Sequence, residues 1–422
     1  MLAGVLRTNP DFRRSFLADL TSNLGSAVST IACPLLVLSL GGNAVQAGSV
    51  ATVSLATRLG FRLPAGSLID RWNRRWVMLT TDLVRFLAVA SIPLVALWES
   101  PHYVQLLAVA AIEGLATALF GPANTVLTRD VVAKQDLGEA LGASQASMAA
   151  VNLAGPAIGG ALYAADRMLP FAVDALSYAV SALLILRITV RPGAAAPTGD
   201  DRGLTAGLRW LLRQRELSVI LLYAAVINLV SAAIDVTAIL ELRSAGASGS
   251  VIGPILSCAG VGGIVGSLLA PWFARRLSVR AILLGIGSGW TAVLAVFALT
   301  FQPWVVAVLL TLLMMLSPAA GVVVGQALFG RTPRHLVGRV SAATSLLLSG
   351  LAALGPFAAG SLFQGLGGAR SWVVLAVLTG AVTAGGWIPL RATRRIDAVR
   401  PAPAPDAAVL AHCANPEEAP DD

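Results

Sequence analysis

Long apolar runs, separated by short polar clusters, follow one another along almost the whole chain. About 20 consecutive apolar residues are needed for a helix to cross the hydrocarbon core of a bilayer, so this pattern predicts membrane-spanning helices. The sequence predicts an all-α membrane protein with twelve transmembrane helices, which we place at 15–39, 45–69, 76–98, 103–126, 142–164, 169–187, 217–240, 250–273, 280–300, 303–327, 340–364 and 371–390.

Two longer polar segments divide this series. The first contains Pro192, Pro197 and Gly199 and then an amphipathic stretch around Trp210, which is typical of a linker. The second follows Arg391, with a PAPAP run and an acidic end, and has too few large apolar residues to fold. We therefore predict an N-terminal six-helix bundle at 1–187, a cytoplasmic linker at 188–216, a C-terminal six-helix bundle at 217–391 and a disordered cytoplasmic tail at 392–422.

Composition agrees with a membrane protein. Apolar residues make up 56% of the 422 residues and charged residues only 12%, whereas a soluble domain is about a quarter charged. The net charge of +8 comes from basic residues that flank the spans and form no stripe with aromatics, so we expect no nucleic-acid partner. The cysteines, Cys33, Cys258 and Cys413, are widely spaced, and two of them lie inside apolar segments, so we expect neither a disulfide framework nor a thiolate metal site.

Basic residues also predict the orientation. If the N-terminus, with Arg13 and Arg14, lies inside, most of the loop arginines and lysines fall on that side. Arg167, Arg243 and Arg370 are the basic residues that fall on the other side. Because cytoplasmic loops carry an excess of Lys and Arg, we predict a multi-pass protein of the plasma (inner) membrane with both termini in the cytoplasm. The first span is too long for a cleaved signal peptide, and we expect it to be retained.

The two groups of six spans resemble each other at an offset of 200 residues. Gly155-Pro156 corresponds to Gly355-Pro356, and the GSLI run that begins at Gly66 corresponds to a GSLL run at Gly266. A constant offset predicts two parallel repeats, the arrangement that alternating-access transporters use. With this register, Asp70 and Arg71 have no charged counterparts in the second repeat.

The loop after the second span carries a recognisable motif. It reads GSLIDRWNRR from Gly66 to Arg75 and resembles the signature G-x-x-x-D-R/K-x-G-R-R/K of the major facilitator superfamily, with Asn73 in place of the second glycine. The resemblance implies a cytoplasmic latch that stabilises one state of the transport cycle. We assign this role to Gly66, Asp70, Arg71, Arg74 and Arg75. The alternative is a simple positive-inside anchor.

The fifth span contains a second motif, Gly155-Pro156-Ala157-Ile158-Gly159-Gly160, which is similar to the G-P-x-x-G-G core of exporters in that superfamily. Within the superfamily, the chain resembles the macrolide-efflux and enterobactin-exporter branch. Pieces such as Phe12-Arg13-Arg14 and Asp174-Ala175-Leu176-Ser177 carry this resemblance. Drug–proton antiporters of other branches have an arginine in span four, where this chain has Ala110. Ordinary packing of small residues is the alternative interpretation of Gly155, Pro156, Gly159 and Gly160.

Charges inside the spans are the sharpest functional signal, because each is costly in a bilayer unless it is paired or hydrated. Helical rise places Arg58 and Glu113 near the midplane and predicts a pair or a site there. It places Arg62, Asp82 and Arg85 together in the cytoplasmic half, as a charge network. Asp19 and Asp235 are further candidates for proton coupling or substrate binding, since a buried carboxyl group without a counter-ion can carry a proton. Static ion pairing is the alternative for each.

Three functions remain open. The first is secondary active export of a small, hydrophobic compound (a drug, macrolide or siderophore-like molecule) by proton-coupled antiport. The second is uptake or facilitated diffusion of a small nutrient or metabolite, and the third is a membrane enzyme or a non-transporting sensor. We expect a transporter and no enzyme, because the chain has no nucleophile–base constellation, metal-ligand spacing or phosphate-binding loop. We also expect no cofactor, and as partners a small-molecule substrate, protons and the lipid bilayer. We expect a monomer.

Overall fold

The computed structural model describes residues 4–133, 135–189, 203–300, 302–329, 332 and 336–391. Within these ranges, the description does not include the side chains of 63–64, 66–71, 203–207, 215–216, 323, 327, 329, 337–339 and 387–391. The predicted tail at 392–422 and most of the predicted linker are therefore outside the described residues. The surroundings of Gly66 and the side chains of Asp70 and Arg71 also lie outside the description.

The described chain is all α-helix. The helices are α1 Gly4–Thr8, α2 Pro10–Ser39, α3 Ala44–Arg71, α4 Arg74–Val95, α5 Tyr103–Val131, α6 Leu137–Ala165, α7 Leu169–Leu186, α8 Gly203–Arg213, α9 Arg215–Ser244, α10 Gly249–Arg276, α11 Val279–Leu299, α12 Pro303–Phe329, α13 Val337–Ala352, α14 Gly355–Leu366 and α15 Gly368–Arg391. Each predicted span coincides with one of them, apart from the eleventh, which α13 and α14 share. The predicted amphipathic stretch around Trp210 is α8.

Eleven spans in the described residues are long and apolar enough to cross a membrane, with α13 and α14 counted as one. Of the helices outside this set, α3 has the length of a span but carries Arg58 and Arg62. Together they give the predicted twelve, and the predicted fold class is confirmed. Several helices extend beyond the apolar runs; α5, for example, continues to Val131, because a helix does not have to stop where the bilayer does.

The spans form two halves, α2–α7 and α9–α15, whose registers correspond in two blocks. α2, α3 and α4 begin 205 positions before α9, α10 and α11, whereas α5 and α6 begin 200 positions before α12 and α13. The difference arises at the longer connection between α4 and α5. The single offset of 200 is therefore wrong for the second span. By helix ends, Asp70 and Arg71 correspond to Arg275 and Arg276, and the similarity of GSLI to GSLL does not mark equivalent positions.

Among the described residues, the closest contacts between the halves lie on one side of the molecule. The α6–α10 contact runs from Gly160, whose position approaches the backbone of Gly249 and Gly253, to the middle of both helices at Leu153 and Gly260. The α3–α14 contact is similar, and there the Phe357 amide donates to Thr52 Oγ1 at 2.9 Å. We call this side, where the α2–α3 and α6–α7 turns lie, the closed end, and the opposite side, where α2 begins, the open end.

Proline has different effects at the two equivalent Gly-Pro sites. Pro156 lies inside the continuous helix α6, whereas Pro356 lies in the first turn of α14, directly after the break that separates α13 from α14. Both prolines expose their carbonyl oxygens to a glycine of the other half: Pro156 to Gly253, and Pro356 to Gly48. Since a side chain at either glycine would collide with that carbonyl, the closed end depends on backbone-to-backbone packing.

Candidate functional site: a buried polar cluster in the first half

Four helices of the first half, α2, α4, α5 and α7, surround a group of polar side chains inside the bundle. The α2–α7 pair packs closely because α2 has Gly25 where it faces Asp174 and Ser177 of α7. This approach brings the α7 carboxyl and hydroxyl groups against α2. We call the resulting group the polar cluster; its members are Ser22, Ser26, Ser29, Asp82, Arg85, Glu113, Thr117, Asp174, Tyr178 and Ser181.

Asp82 and Arg85 form the buried ion pair of the cluster. They are three residues apart on α4, on one helix face, and Arg85 Nη1 lies 3.7 Å from Asp82 Oδ1. Asp82 is fully buried and Arg85 is 4% exposed. Ser181 of α7 donates a hydrogen bond of 2.5 Å to Asp82 Oδ2. The carboxylate is therefore held from both α4 and α7.

The guanidinium of Arg85 reaches beyond its ion pair. Nη2 donates to Thr117 Oγ1 at 2.7 Å, and Nη1 donates to Ser22 Oγ at 3.5 Å. Its Cζ lies 5.3 Å from the ring centroid of Phe120 and 5.4 Å from that of Tyr178, within the range of cation–π attraction. One arginine thus links α2, α4, α5 and α7, a role that its planar fork of donors suits.

Glu113 is half-buried on α5, and its carboxylate accepts a hydrogen bond from the Tyr178 hydroxyl at Oε1, at 2.9 Å. The same hydroxyl lies 2.9 Å from Ser26 Oγ on α2. Within the described residues, no ion pair joins Glu113 to Arg58, whose side chain is exposed on α3. The direct partner of Glu113 is therefore a tyrosine.

Asp174 is fully buried on α7, and neither of its carboxyl oxygens has a hydrogen-bond partner within the described residues. Ser29 and Tyr178 lie nearby but outside hydrogen-bonding geometry. The cluster therefore sets the carboxyl groups of Asp82, Glu113 and Asp174 against the guanidinium of Arg85. Because an unpaired buried charge is costly, it cannot hold all three carboxyls ionised without a large penalty.

The other charged candidates are accessible. Arg62 is exposed on α3, apart from the Asp82–Arg85 pair, and Asp19 is half-buried one turn from Ser22 on α2.

In the second half, Asp235 is exposed on α9. It follows Ser231 and Asn228 at spacings of four and seven residues, so these three side chains share one helix face. A polar face at mid-span avoids lipid, and we infer that it lines a water-filled space between the halves.

At the open end, arginines anchor the helix termini. Arg74 Nη1 lies 3.4 Å from Asp130 Oδ2 of α5, and Arg75 donates to the Leu186 carbonyl at the end of α7. Cationic donors at the C-terminal carbonyls of a helix satisfy groups that lack helical partners. Asn73 caps α4, with its side chain accepting from the Arg75 amide. These contacts stay within the first half.

The exporter-type motif of α6 lies at two contacts. Gly155 and Gly159 face Ala27 and Val28 of α2, in the same half, whereas Pro156 and Gly160 face α10 of the other half. The Ala157 amide donates to Ser257 Oγ of α10 at 2.9 Å. The motif therefore packs α6 against both halves at the closed end.

The sequence pattern did not indicate Tyr178, Thr117 or Ser181 as members of the site, and it did not single out Asp174 among the carboxyl groups inside the spans. A usable signal was present, since Asp174, Tyr178 and Ser181 lie on one face of α7 at spacings of four and three. No group of three or more metal-ligating side chains occurs in the parts of the chain that the structure describes.

Two six-helix halves that meet at one end, with buried charges inside one half, are an arrangement typical of secondary membrane transporters. The family comparison agrees: the model of the Major Facilitator Superfamily matches residues 15–356, and the chain belongs to this family. The predicted resemblance to it is confirmed. The chain is thus a multi-pass membrane transporter, a class that binds small molecules within the membrane.

Relatives carry the names of efflux proteins. The chain is 29% identical over 417 residues to "Multidrug efflux pump Tap" of Mycobacterium tuberculosis (strain ATCC 25618 / H37Rv), covering 90% of this chain and 93% of that protein. It is 26% identical over 175 residues to "Macrolide efflux protein A" of Streptococcus pyogenes, covering 39% and 43%. Among solved structures, a point mutant of the nucleoside transporter NupG matches with a TM-score of 0.74 at 13% identity, covering 90% and 100%. That likeness concerns the fold.

Proposed function

We propose that this protein exports a small, hydrophobic compound from the cytoplasm, in exchange for protons. The observation that carries the proposal is the polar cluster: Asp82, Glu113 and Asp174 share Arg85, so charge balance requires protons in at least some states. Full-length similarity to a protein named as a multidrug efflux pump supports export as the direction.

The mechanism follows from the place of Glu113. Glu113 is half-buried, whereas Asp82 is fully buried between α4 and α7. In our proposal, the Glu113 carboxyl exchanges protons with the space between the halves. In our proposal, proton binding at Glu113 removes a charge from the wall of that space and favours release of the compound. Arg85 and Tyr178 orient the carboxyl, and Arg58, Arg62 and Asp19 set the polarity of the entrance.

Alternating access would be a rocking of the two bundles about the closed end. The excess of basic residues supports an open end in the cytoplasm, together with both termini, so in our proposal the conformation described is inward-open. The Gly66–Arg75 segment, which spans the end of α3 and the start of α4, would act as a latch when the open end closes. Arg74 and Arg75 already contact Asp130 and the end of α7. We propose that one chain suffices for transport.

The test is accumulation and vesicle transport in a strain stripped of its own efflux pumps, with ethidium and erythromycin as probes. Expression should lower accumulation of at least one probe, and Glu113→Gln should abolish the dependence of everted-vesicle transport on a proton gradient. Glu99→Gln is the matched control, because Glu99 is exposed in the α4–α5 connection. Gradient-independent transport in the wild type would overturn proton coupling, and inward accumulation of a probe would overturn export.

A further inference from the structure

Asp174 is the buried group that the proposed mechanism leaves unused. It lies on the second turn of α7, about 8 Å along the helix from the closed end at 1.5 Å per residue. Its carboxyl is fully buried, and both oxygens lack hydrogen-bond partners among the described residues. A carboxylate needs several donors when it is removed from water, while a neutral carboxylic acid needs far fewer. The surroundings of Asp174 therefore favour the neutral carboxylic acid over the carboxylate.

The surroundings of Asp174 offer no counter-ion. In the described part of the chain, the salt-bridge partner of Arg85 is Asp82. The α2 residue that faces Asp174 is Gly25, which has no side chain. The groups that face the carboxyl from packed elements are Ser29 of α2, Tyr178 of its own helix and, further away, Glu113 of α5 and Arg85 of α4. Two of these are hydroxyls, one is another acid, and the arginine is engaged elsewhere.

Tyr178 connects Asp174 to Glu113. The two α7 residues are four apart, on one face of the helix, and the Tyr178 hydroxyl donates to Glu113 Oε1 at 2.9 Å. The Tyr178 hydroxyl neighbours the Asp174 carboxyl without a hydrogen bond to it, so a rotation of either side chain would complete a line from Asp174 through the hydroxyl to Glu113. Glu113 is half-buried, whereas Asp174 is fully buried, so in our proposal the line leads from the sealed wall to the substrate side.

We propose that Asp174 is a second proton-carrying carboxyl, protonated in the conformation described, that exchanges its proton with Glu113 through the Tyr178 hydroxyl. In the step, the Asp174 O–H bond breaks as its proton passes to the Tyr178 oxygen, and the Tyr178 O–H bond breaks as that proton passes to Glu113. The products are an Asp174 carboxylate, an unchanged tyrosine and a neutral Glu113. The relay rests on the proton coupling proposed above, but the protonation of Asp174 does not.

Gly25 makes this pocket possible. An added methyl group at Gly25 would overlap Ser177 Oγ and approach Asp174 Oδ1 to 2.6 Å, so α2 can seal the carboxyl only because it has no side chain there. Separation of α2 from α7 during the transport cycle would expose Asp174 to water and let it lose its proton. The Asp174 carboxyl would then be protonated in one state of the cycle and ionised in the other.

Infrared spectroscopy of the purified full-length protein in liposomes tests the site without any transported compound. The C=O stretching band of protonated carboxyl groups should lose intensity at neutral pH in Asp174→Asn, while Asp166→Asn, a change at an exposed aspartate before α7, should leave it unchanged. An Asp174→Asn spectrum equal to that of the wild type would overturn the protonated assignment.

The relay has its own readout. Tyr178→Phe should keep the Asp174 band but slow its hydrogen–deuterium exchange at least several-fold, because the route through the hydroxyl is gone. Unchanged exchange would overturn the relay. If Asp174→Asn does not fold, Glu113→Gln still decides the site: a protonated-carboxyl band must persist in it with slowed exchange, and its complete loss would assign the proton to Glu113. Failure of proton-driven export with an intact Asp174 band would instead contradict the function and leave the site standing.

Discussion

Tyr178 of α7 and Glu113 of α5, separated by 65 positions in sequence, are joined by a hydrogen bond of 2.9 Å inside the first half. The bond ties a half-buried carboxylate to a helix that also holds Asp174 and Ser181. Because Ser26 of α2 shares the same hydroxyl, Tyr178 fixes the spacing of three helices. Glu113 can therefore change its charge without losing its position.

Removing this hydroxyl should impair both stability and coupling. Tyr178→Phe leaves Glu113 Oε1 without its donor, and a hydrogen bond to a charged group contributes about 1.5–3 kcal/mol. We expect a lower midpoint of thermal unfolding in detergent and a weaker dependence of probe export on the proton gradient. Tyr103→Phe is the control, since the Tyr103 hydroxyl bonds Ser49 away from the polar cluster. Equal behaviour of the two variants would contradict the role of Tyr178.

Arg85 should be the most sensitive position in the cluster. Arg85→Gln leaves Asp82 as a buried carboxylate without a counter-ion, a change that costs about 3–5 kcal/mol. We expect a large loss of folded protein, measured by size-exclusion chromatography and unfolding midpoint, with partial recovery in Asp82→Asn/Arg85→Gln. Arg85→Lys should be intermediate, because an ammonium cannot reach Asp82 and Thr117 together.

The control for Arg85 is Arg62→Gln, since Arg62 is exposed on α3. If the two substitutions destabilise the protein equally, Arg85 does not have the central place that its contacts indicate. If the double variant is no better than Arg85→Gln alone, the Asp82–Arg85 pair is not the reason for the loss.

Glycines at the closed end should control the balance between conformations. A methyl group at Gly253 would meet the Pro156 carbonyl, and one at Gly48 would meet the Pro356 carbonyl, so either alanine variant must separate the halves there. We expect several-fold faster labelling of a cysteine at Ser257 by a membrane-impermeant maleimide, in a chain freed of its other cysteines. Gly263→Ala, where an added methyl group meets open space, should leave the rate unchanged. Slower labelling in Gly253→Ala would contradict the assignment of the closed end.

Asp235 should select compounds by charge. It is the exposed acid on the polar face of α9 that includes Asn228 and Ser231, and a carboxylate there attracts cations. Asp235→Asn should reduce export of cationic ethidium by about tenfold, which corresponds to about 1.4 kcal/mol, and leave export of neutral chloramphenicol within about twofold. Equal losses for both compounds would indicate a structural role or a coupling role instead. The comparison uses drug accumulation at matched expression.

The spans could be predicted from the sequence alone, because the thickness of the bilayer sets the length of an apolar helix and the polar segments between spans must stay in water. The sequence also determined that Asp82 and Arg85 would pair, since residues three apart on a helix are neighbours in any fold. The family motifs around Gly66 and Gly155 could also be found in the sequence, because each consists of consecutive residues. Each of these features depends on residues that are close in sequence.

The contacts between residues that are far apart in sequence depend on the tertiary structure. Tyr178 is the partner of Glu113, where the sequence suggested Arg58, because partners in different helices depend on packing that hydropathy does not encode. The first three spans correspond to those of the second half at an offset of 205 residues. The similar runs GSLI and GSLL, at an offset of 200, do not occupy equivalent positions. Pro156 and Pro356 follow the same Gly-Pro pattern, but Pro156 lies in a continuous helix, whereas Pro356 follows the break between α13 and α14. Local periodicity fixes the helices, and only the packing of α2, α4, α5 and α7 determines which charges share one arginine.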